Sequence, residues 1–455
     1  MSPALTLPPS SFRVDSGPPV LIVGGGASGV IAAIRLLGEL EGGRVLLVER
    51  QGRLGRGVAY GSQDPHHLLN VRAGNMSAFP ECPGDFVEWL EENGDDEGDV
   101  GRRFVPRIRF GQYLESRLER AIARSSSEFV SVMGEAVGVG VDLTVRLGSG
   151  DSVKVDHLVL ALGNLAPSLP APLVPLASDP RIVVNPWVAG AVEGVDPNHV
   201  VLVVGTGLTM VDTVSSLSRN GHKGKIYARS RHGLVSQVHA PSLAVAAEVS
   251  SEREVMRQVI DLLRNSGESW RGAVDALRPR TVELWQSLSW KQRGRFRRRL
   301  QVFWDVHRHR IPEALGEELA WIVARGGLDI ASGRIVGVKS QGNRIGVRFS
   351  SNQGSEMLLV DSIVNCTGPC SDLKAARLPL VESLVEAGLA EYDPLEIGLL
   401  VDDDGETRHH SNVWALGPLC RGCRLETTAI PEIRVQAKRL SERISTRPRV
   451  HSGSR

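Results

Sequence analysis

Cysteine is scarce: the 455-residue sequence holds five, an odd number spread over a long chain. That is no secreted disulfide framework, and it favours a reducing, cytoplasmic setting. Aromatic residues make up only 5%, and seven lysines stand beside 46 arginines. An excess of one charge is also missing, since 53 basic and 52 acidic residues leave a formal net charge of +1. Near-neutrality argues against bulk binding to nucleic acid or to a membrane surface. No apolar run approaches the length of a membrane span. Residues 1–17 lack a basic stretch leading into an apolar core, so they read as a disordered leader and not a signal peptide.

Glycine, in contrast, is abundant, at 49 of 455 residues, about 11% against a usual 7% or so. There is no G-X-Y period, and hydrophobic residues reach 42%, so the chain is neither collagen-like nor disordered. Its length exceeds the size at which one core stops growing, and two packed domains are expected. Two segments share a grammar of β-branched strand, glycine turn and helix. In VLIVGGGASGVIAAIRLL the strand is 20–23, and Val30, Ile34 and Leu37 mark one helix face. In VVLVVGTGLTMVDTVSSL the strand is 200–204, and Val211, Val214 and Leu217 do the same. DHLVLALGN at 156–164 and DSIVNCTGP at 361–369 read as returning strands that end in glycine.

The order predicts an α/β chain of two nested Rossmann-like dinucleotide-binding domains. The outer one spans 18–185 and 356–446 and is assigned to FAD. The inner one spans 186–355, is assigned to NAD(P)H, and carries an Arg- and Trp-containing helical insert over 251–325. A Pro-rich linker at 166–181 crosses between them, residues 333–365 alternate like antiparallel strands, and 447–455 form a tail.

The first turn is Gly24-x-Gly26-x-x-Gly29 with Ala27 and Ser28 inside it. In this pattern the first glycine makes the tight turn, the second lets backbone approach a pyrophosphate, and the third lets helix pack on strand. The helix N-terminus then offers unpaired N–H groups and partial positive charge to the phosphates. Glu49, followed by Arg50, ends the next strand 20 residues after Gly29, where a carboxylate accepts from an adenosine ribose. The second turn, Gly205-x-Gly207, has Met210 in the third place. Its following strand ends in Arg229 and Arg231 instead of a carboxylate, which suits a 2′-phosphate and hence NADPH over NADH. Gly163 and Gly417 close the returning strands of the outer domain.

The chain resembles the two-dinucleotide-binding-domain flavoproteins, and among them the FAD-NAD(P)-binding oxidoreductase family that includes FAD-dependent urate hydroxylase. The residues that carry this closer likeness are GRGVAYGSQDPHHLLNVRAGNMSAFP (55–80), FVPR (104–107) with Gly111 to Leu114, WDVHRHR (304–310) and ETTAIPEIRVQA (426–437). The resemblance implies a flavin reduced by NAD(P)H that reacts with O2, as a hydroperoxide, to hydroxylate a urate- or purine-like or amine substrate. It places Arg56 and Asn70 along the path towards the isoalloxazine. The sequence departs from the family pattern at Arg72, where proline is expected, and at Asn185, where an acid is more usual.

Other groups stay open between roles. His239, Asp305, His307 and His309 have the chemistry of acids and bases, yet a structural role suits each equally well. Cys420-x-x-Cys423 has the spacing of a redox dithiol, which would make the chain a reductase of disulfides, quinones or a carrier protein; two small core residues are the plainer reading. A flavin-bound interaction protein without turnover is the non-enzymatic alternative. The basic run Lys291 to Arg299 reads as a solvated face or an anion-facing wall, and neither a metal site nor a nucleic-acid or membrane partner is expected.

Overall fold

The computed structural model describes residues 19–246, 248–251, 254–352, 354–407 and 412–447. The expected leader at 1–17 and, but for residue 447, the expected tail lie outside the described residues. By contacts the chain divides into two units, one of Met1–Pro65, Val71–Leu165 and Ser371–Arg455, the other of His66–Asn70 and Ala166–Cys370.

The first unit opens with β1 (Val20–Val23), α1 (Ala27–Glu39) and β2 (Arg44–Glu49). Next come α2 (Gly57–Tyr60), α3 (Asp85–Glu92), α4 (Arg107–Arg124), β3 (Glu128–Met133), a three-stranded antiparallel sheet β4 (Ala136–Val139), β5 (Thr144–Leu147) and β6 (Ser152–Lys154), and β7 (His157–Leu160). The second unit holds β8 (Ile182–Val183), β9 (Val201–Val204), α5 (Leu208–Arg219) and β10 (Ile226–Ser230). Six helices follow, α6 (Val255–Asn265), α7 (Trp270–Leu277), α8 (Thr281–Gln286), α9 (Trp290–Arg299), α10 (Gln301–Arg308) and α11 (Glu313–Ala324). The strands β11 (Leu328–Ser332), β12 (Arg334–Gln341), β13 (Arg344–Ser351), β14 (Gly354–Val360) and β15 (Ser362–Asn365) complete it, after which α12 (Pro379–Glu386), β16 (Val413–Ala415) and α13 (Ile430–Ser445) return to the first unit.

Each unit is built on a five-stranded parallel sheet, in the order β16-β7-β1-β2-β3 for the first and β11-β10-β9-β15-β8 for the second. The expected nested α/β architecture is what the chain adopts. Strands covered on both faces read as unbroken apolar runs, and Val20 to Val23 and Val201 to Val204 are all buried. In the second unit Val201 and Val203 face a core with Met210, Val214, Leu315 and Ile322. Leu202 and Val204 face the other way, onto Ile345, Val347 and Phe349 of the antiparallel sheet β12-β13-β14. Helix α1 packs against both α4 and α13, so all but its last two residues beyond Ala27 are buried.

Two expectations shift. The DSIVN strand β15 pairs in parallel with β9 and β8, which moves the inner unit's limits from 186 and 355 out to 166 and 370. Helix α11 lies in the core beneath β9 and feeds β11, so it is a crossover of the sheet and the helical elaboration is confined to α6 through α10. Met210, in place of a third glycine, is itself wholly buried in that core.

Candidate functional site

The strand order reverses beside β1 in the first sheet and beside β9 in the second, and in folds of this kind the crevice at that reversal, outside the carboxyl ends of the strands, takes the ligand. Each glycine turn lies there. Gly24 has φ +108°, and a Cβ on it would stand 2.3 Å from the Ala161 carbonyl oxygen at the end of β7. Gly205 repeats this with φ +113° and the Cys366 carbonyl oxygen at 2.2 Å after β15. The returning strand therefore forces both first glycines. Gly29 is forced too, its imaginary Cβ falling 1.8 Å from the Gly24 carbonyl oxygen.

The second glycines differ. Gly26 has extended backbone, φ −70° and ψ −171°, and a Cβ there would meet only the Gly57 Cα, at 3.6 Å. At Gly207, φ −85° and ψ −162°, nothing stands within 4 Å. Among the described residues no atom requires glycine at either position. Both are N-caps of helices, α1 and α5, that have no side-chain cap and no acid in the first turn. Helix amides without a capping side chain beside a turn kept clear of Cβ atoms make a cradle that fits a pyrophosphate.

Around the first cradle, Glu49 stands at the end of β2. Its Oε2 accepts from the Gly25 amide at 2.7 Å and its Oε1 from the Gln51 amide at 2.8 Å. Two bonds leave lone pairs on both oxygens for further donors such as ribose hydroxyls. Ser28 is buried against Gly417, which has φ +72° and donates to Gln436. Ala27 is half-buried, Arg50 is exposed, and Gly163 (φ +68°) has open space where a Cβ would go. One group not anticipated from the sequence lies close by. Thr427 is wholly buried, its hydroxyl has no partner among the described residues, and its carbonyl oxygen sits 3.6 Å from where a Cβ on Gly417 would be. It precedes α13, a further helix without a side-chain cap. The signal available in the sequence was Pro431, an N-terminal helix mark in the first turn of α13.

Two residues expected at the cofactors are engaged by carboxylates of the chain itself. Arg56 forks onto Glu115 with two bonds of 2.6 Å and also donates to the Ile108 carbonyl. A Cβ on Gly111 would collide with it at 2.7 Å, so Arg56 and Gly111 are one packing unit that ties the α2 segment to α4. Arg229 is 2% exposed and bridges Glu356 and Asp329 at 2.9 and 3.0 Å. Strand alternation sends Arg229 to the same side as Tyr227, onto Glu356 of β14. Arg231, past the end of β10, is exposed. Asn70 belongs to the second unit, where its carbonyl accepts from His239 at 3.1 Å, and nearby His67 meets the Ser216 hydroxyl at 2.9 Å. Asn185 turns its side chain back onto the Trp187 amide.

The remaining candidates gather into no common centre. His307 stacks edge-on against Trp270 and meets the Phe303 carbonyl, while Asp305 and His309 face each other at 3.9 Å on α10. Cys420 and Cys423 are both buried and unbridged. The Cys420 thiol donates to the Ala415 carbonyl, and burial pushes it up to about 12. A thiol held protonated is a poor nucleophile, which argues against Cys420 as the attacking thiol of a redox pair. Within the basic run, Arg293 is buried and caps the end of α8 through the carbonyls of Trp285, Gln286 and Leu288. Among the described residues no His, Cys, Asp and Glu cluster suits a metal, and no helix is long and apolar enough to cross a membrane.

Fold and cradles together define a chain of two nested dinucleotide-binding units. Residues 21–165 match the model of a family described as FAD-NAD(P)-binding, which agrees with the resemblance read from the sequence; no finding supports urate hydroxylase in particular. No curated protein matches the chain. Solved structures do. The ornithine hydroxylase of Pseudomonas aeruginosa in its reduced form is similar with a TM-score of 0.66 at 16% identity, over 94% of this chain and 99% of that one. The cadaverine monooxygenase of desferrioxamine biosynthesis from Erwinia amylovora, solved with FAD, gives 0.67 at 13% over 94% of each chain. The L-lysine 6-monooxygenase of Pseudomonas syringae gives 0.66 at 18%, over 95% of this chain and 100% of that one.

Proposed function

We propose that the protein is an FAD-dependent, NADPH-consuming monooxygenase that hydroxylates the nitrogen of a small amine or amino acid. The observation that carries this is the pair of cradles at Gly26 and Gly207, each free of any protein reason to be glycine. The fold shared with three amine-hydroxylating enzymes along nearly the whole chain supports the choice of an amine over a purine.

The uncapped amides of α1 would hold the FAD pyrophosphate, with Glu49 taking the ribose hydroxyls. The Thr427 hydroxyl and the first turn of α13 would offer polar contacts to the rest of FAD. The amides of α5 would hold the pyrophosphate of NADPH, and Arg231 its 2′-phosphate. Bound FAD, reduced by NADPH, supplies the activation of O2. The chain's own part is to bind and orient the two nucleotides and keep water from the reacting centre. Small-molecule substrate, O2 and a cytoplasmic location belong to the same proposal.

A panel of ornithine, lysine, cadaverine and urate tests it, scored by NADPH-dependent product formation on the flavin-loaded protein. An N-hydroxylated amine is the expected product. A hydroxylated purine, or electron transfer to a quinone without product, would replace this reading.

A further inference from the structure

Helix α11 is apolar on its outer side as well as its inner one. Of its twelve residues only Glu313, Glu317 and Glu318 carry charge. Leu315, Leu319 and Ile322 turn inward to the core they share with β9. On one flank Glu318 is held by Ser215 and Arg219 of α5, at 2.9 and 2.6 Å. The face left over carries Ala314, Glu317, Trp321, Ala324 and Arg325, all exposed, at the three- and four-residue spacing that puts them on one side of a helix. Trp321 itself is 58% exposed. A helix apolar all round is normally buried all round, yet this face is open.

Two charges on it lack a counter-charge. Glu317 has no partner among the described residues. Arg325 lies over the ring of its own Trp321, 4.0 Å from the centroid, and no carboxylate among the described residues reaches it. The two do not pair with each other, being eight residues and about 12 Å apart along the helix. Trp321 stands midway between them, and that midpoint selects the occupant. In a two-fold contact the same patch meets itself, so that if one residue touches a second, the second touches the first. With a second α11 laid antiparallel and the axis at Trp321, Glu317 faces Arg325 of the second copy and Arg325 faces its Glu317, since each lies four residues from the axis. A parallel copy would set like charges together, and a partner of one charge would satisfy one residue and repel the other. Ala314 and Ala324 leave room beside the Trp321 rings, so the helices can close to the usual spacing of about 8–10 Å.

We infer that this face of α11 is the contact of a symmetric dimer of the chain, with Trp321 at the two-fold axis and two Glu317–Arg325 ion pairs between the copies. One helix face per copy gives an interface at the small end of the range, under about 1,200 Å². The dimer is accordingly weak, with a Kd of about 10–100 μM.

Sedimentation equilibrium of the full-length, flavin-loaded protein tests this, at concentrations up to several times that Kd. Wild type is expected to pass from monomer to dimer as concentration rises. Trp321→Ala, which removes the residue at the axis, should weaken the dimer at least about tenfold. Glu317→Arg and Arg325→Glu should each do the same by setting like charges against each other. Glu317→Arg combined with Arg325→Glu should return to within about threefold of wild type. Because the pair is not made within one copy, that recovery reports contact between copies. All three positions are exposed, so every variant should melt within about 2 °C of wild type, which separates a lost contact from a lost fold. A wild type that stays monomeric would leave the face to a different protein and overturn the assignment. A dimer untouched by Trp321→Ala, or single charge variants that the double variant does not restore, would overturn it too.

Discussion

Alanine at Gly24 and alanine at Gly26, two residues apart in one turn, should fail in different ways. At Gly24 the new methyl would sit 2.3 Å from the Ala161 carbonyl oxygen on a backbone with φ +108°. A non-glycine residue held in such a region costs about 1–3 kcal/mol, and relieving the contact on β7 raises this to about 2–4 kcal/mol. For a unit of this size that lowers the melting temperature by about 5–15 °C. At Gly26 the backbone is extended and the nearest atom is 3.6 Å away, so the apoprotein should melt as wild type or slightly higher, since alanine restricts the unfolded chain. The methyl would instead occupy the place of the pyrophosphate. Overpacking of about 1–3 kcal/mol weakens FAD about 5- to 150-fold. Thermal melts of the apoprotein and FAD titration by flavin fluorescence read the two effects separately. Gly26→Ala binding FAD like wild type, or melting like Gly24→Ala, would refute the cradle.

Other consequences follow from the same geometry. Gly207→Ala should raise the KM for NADPH with little change in melting temperature, because nothing lies within 4 Å of the added methyl. Arg231→Ala should weaken NADPH more than NADH, whereas Arg229→Ala should cost stability, about 1–3 kcal/mol by denaturant unfolding, without altering coenzyme preference; its partners Glu356 and Asp329 are half-exposed, which keeps the cost at the low end. Arg56→Ala and Glu115→Ala should show a coupling of about 1–3 kcal/mol in a double-mutant cycle of stability, and no coupling would return Arg56 to the cofactor. Thiol reagent at pH 8 should modify the exposed Cys82 rapidly and Cys420 about 10³-fold more slowly or only on unfolding, and Cys420→Ser with Cys423→Ser should retain NADPH oxidation.

Local sequence carried what is local. A four-residue apolar strand followed by glycine located both turns, and Glu49 could be placed because it ends the second strand of a βαβ unit. The unit boundary could not be read, because DSIVN and DHLVL look alike along the chain and only pairing assigns β15 to β9 instead of to β7. Helix α11 merged with the insert for a related reason, since Leu315, Leu319 and Ile322 show an apolar face without showing which surface it covers. Arg229 misled because a strand buried on both faces leaves no alternation to say which way a residue points. Arg56 and Gly111 are 55 positions apart, and their dependence on each other exists only in the folded chain. Thr427 announces nothing until its burial leaves a hydroxyl without a partner.

Oxygen uptake is the most direct measure of the central claim. The flavin-loaded protein, given NADPH and an amine from the panel, should consume one O2 per NADPH and yield a product heavier by one oxygen atom, borne on nitrogen. NADPH oxidation that proceeds without O2, or uptake that returns entirely as peroxide with every amine in the panel, would contradict it.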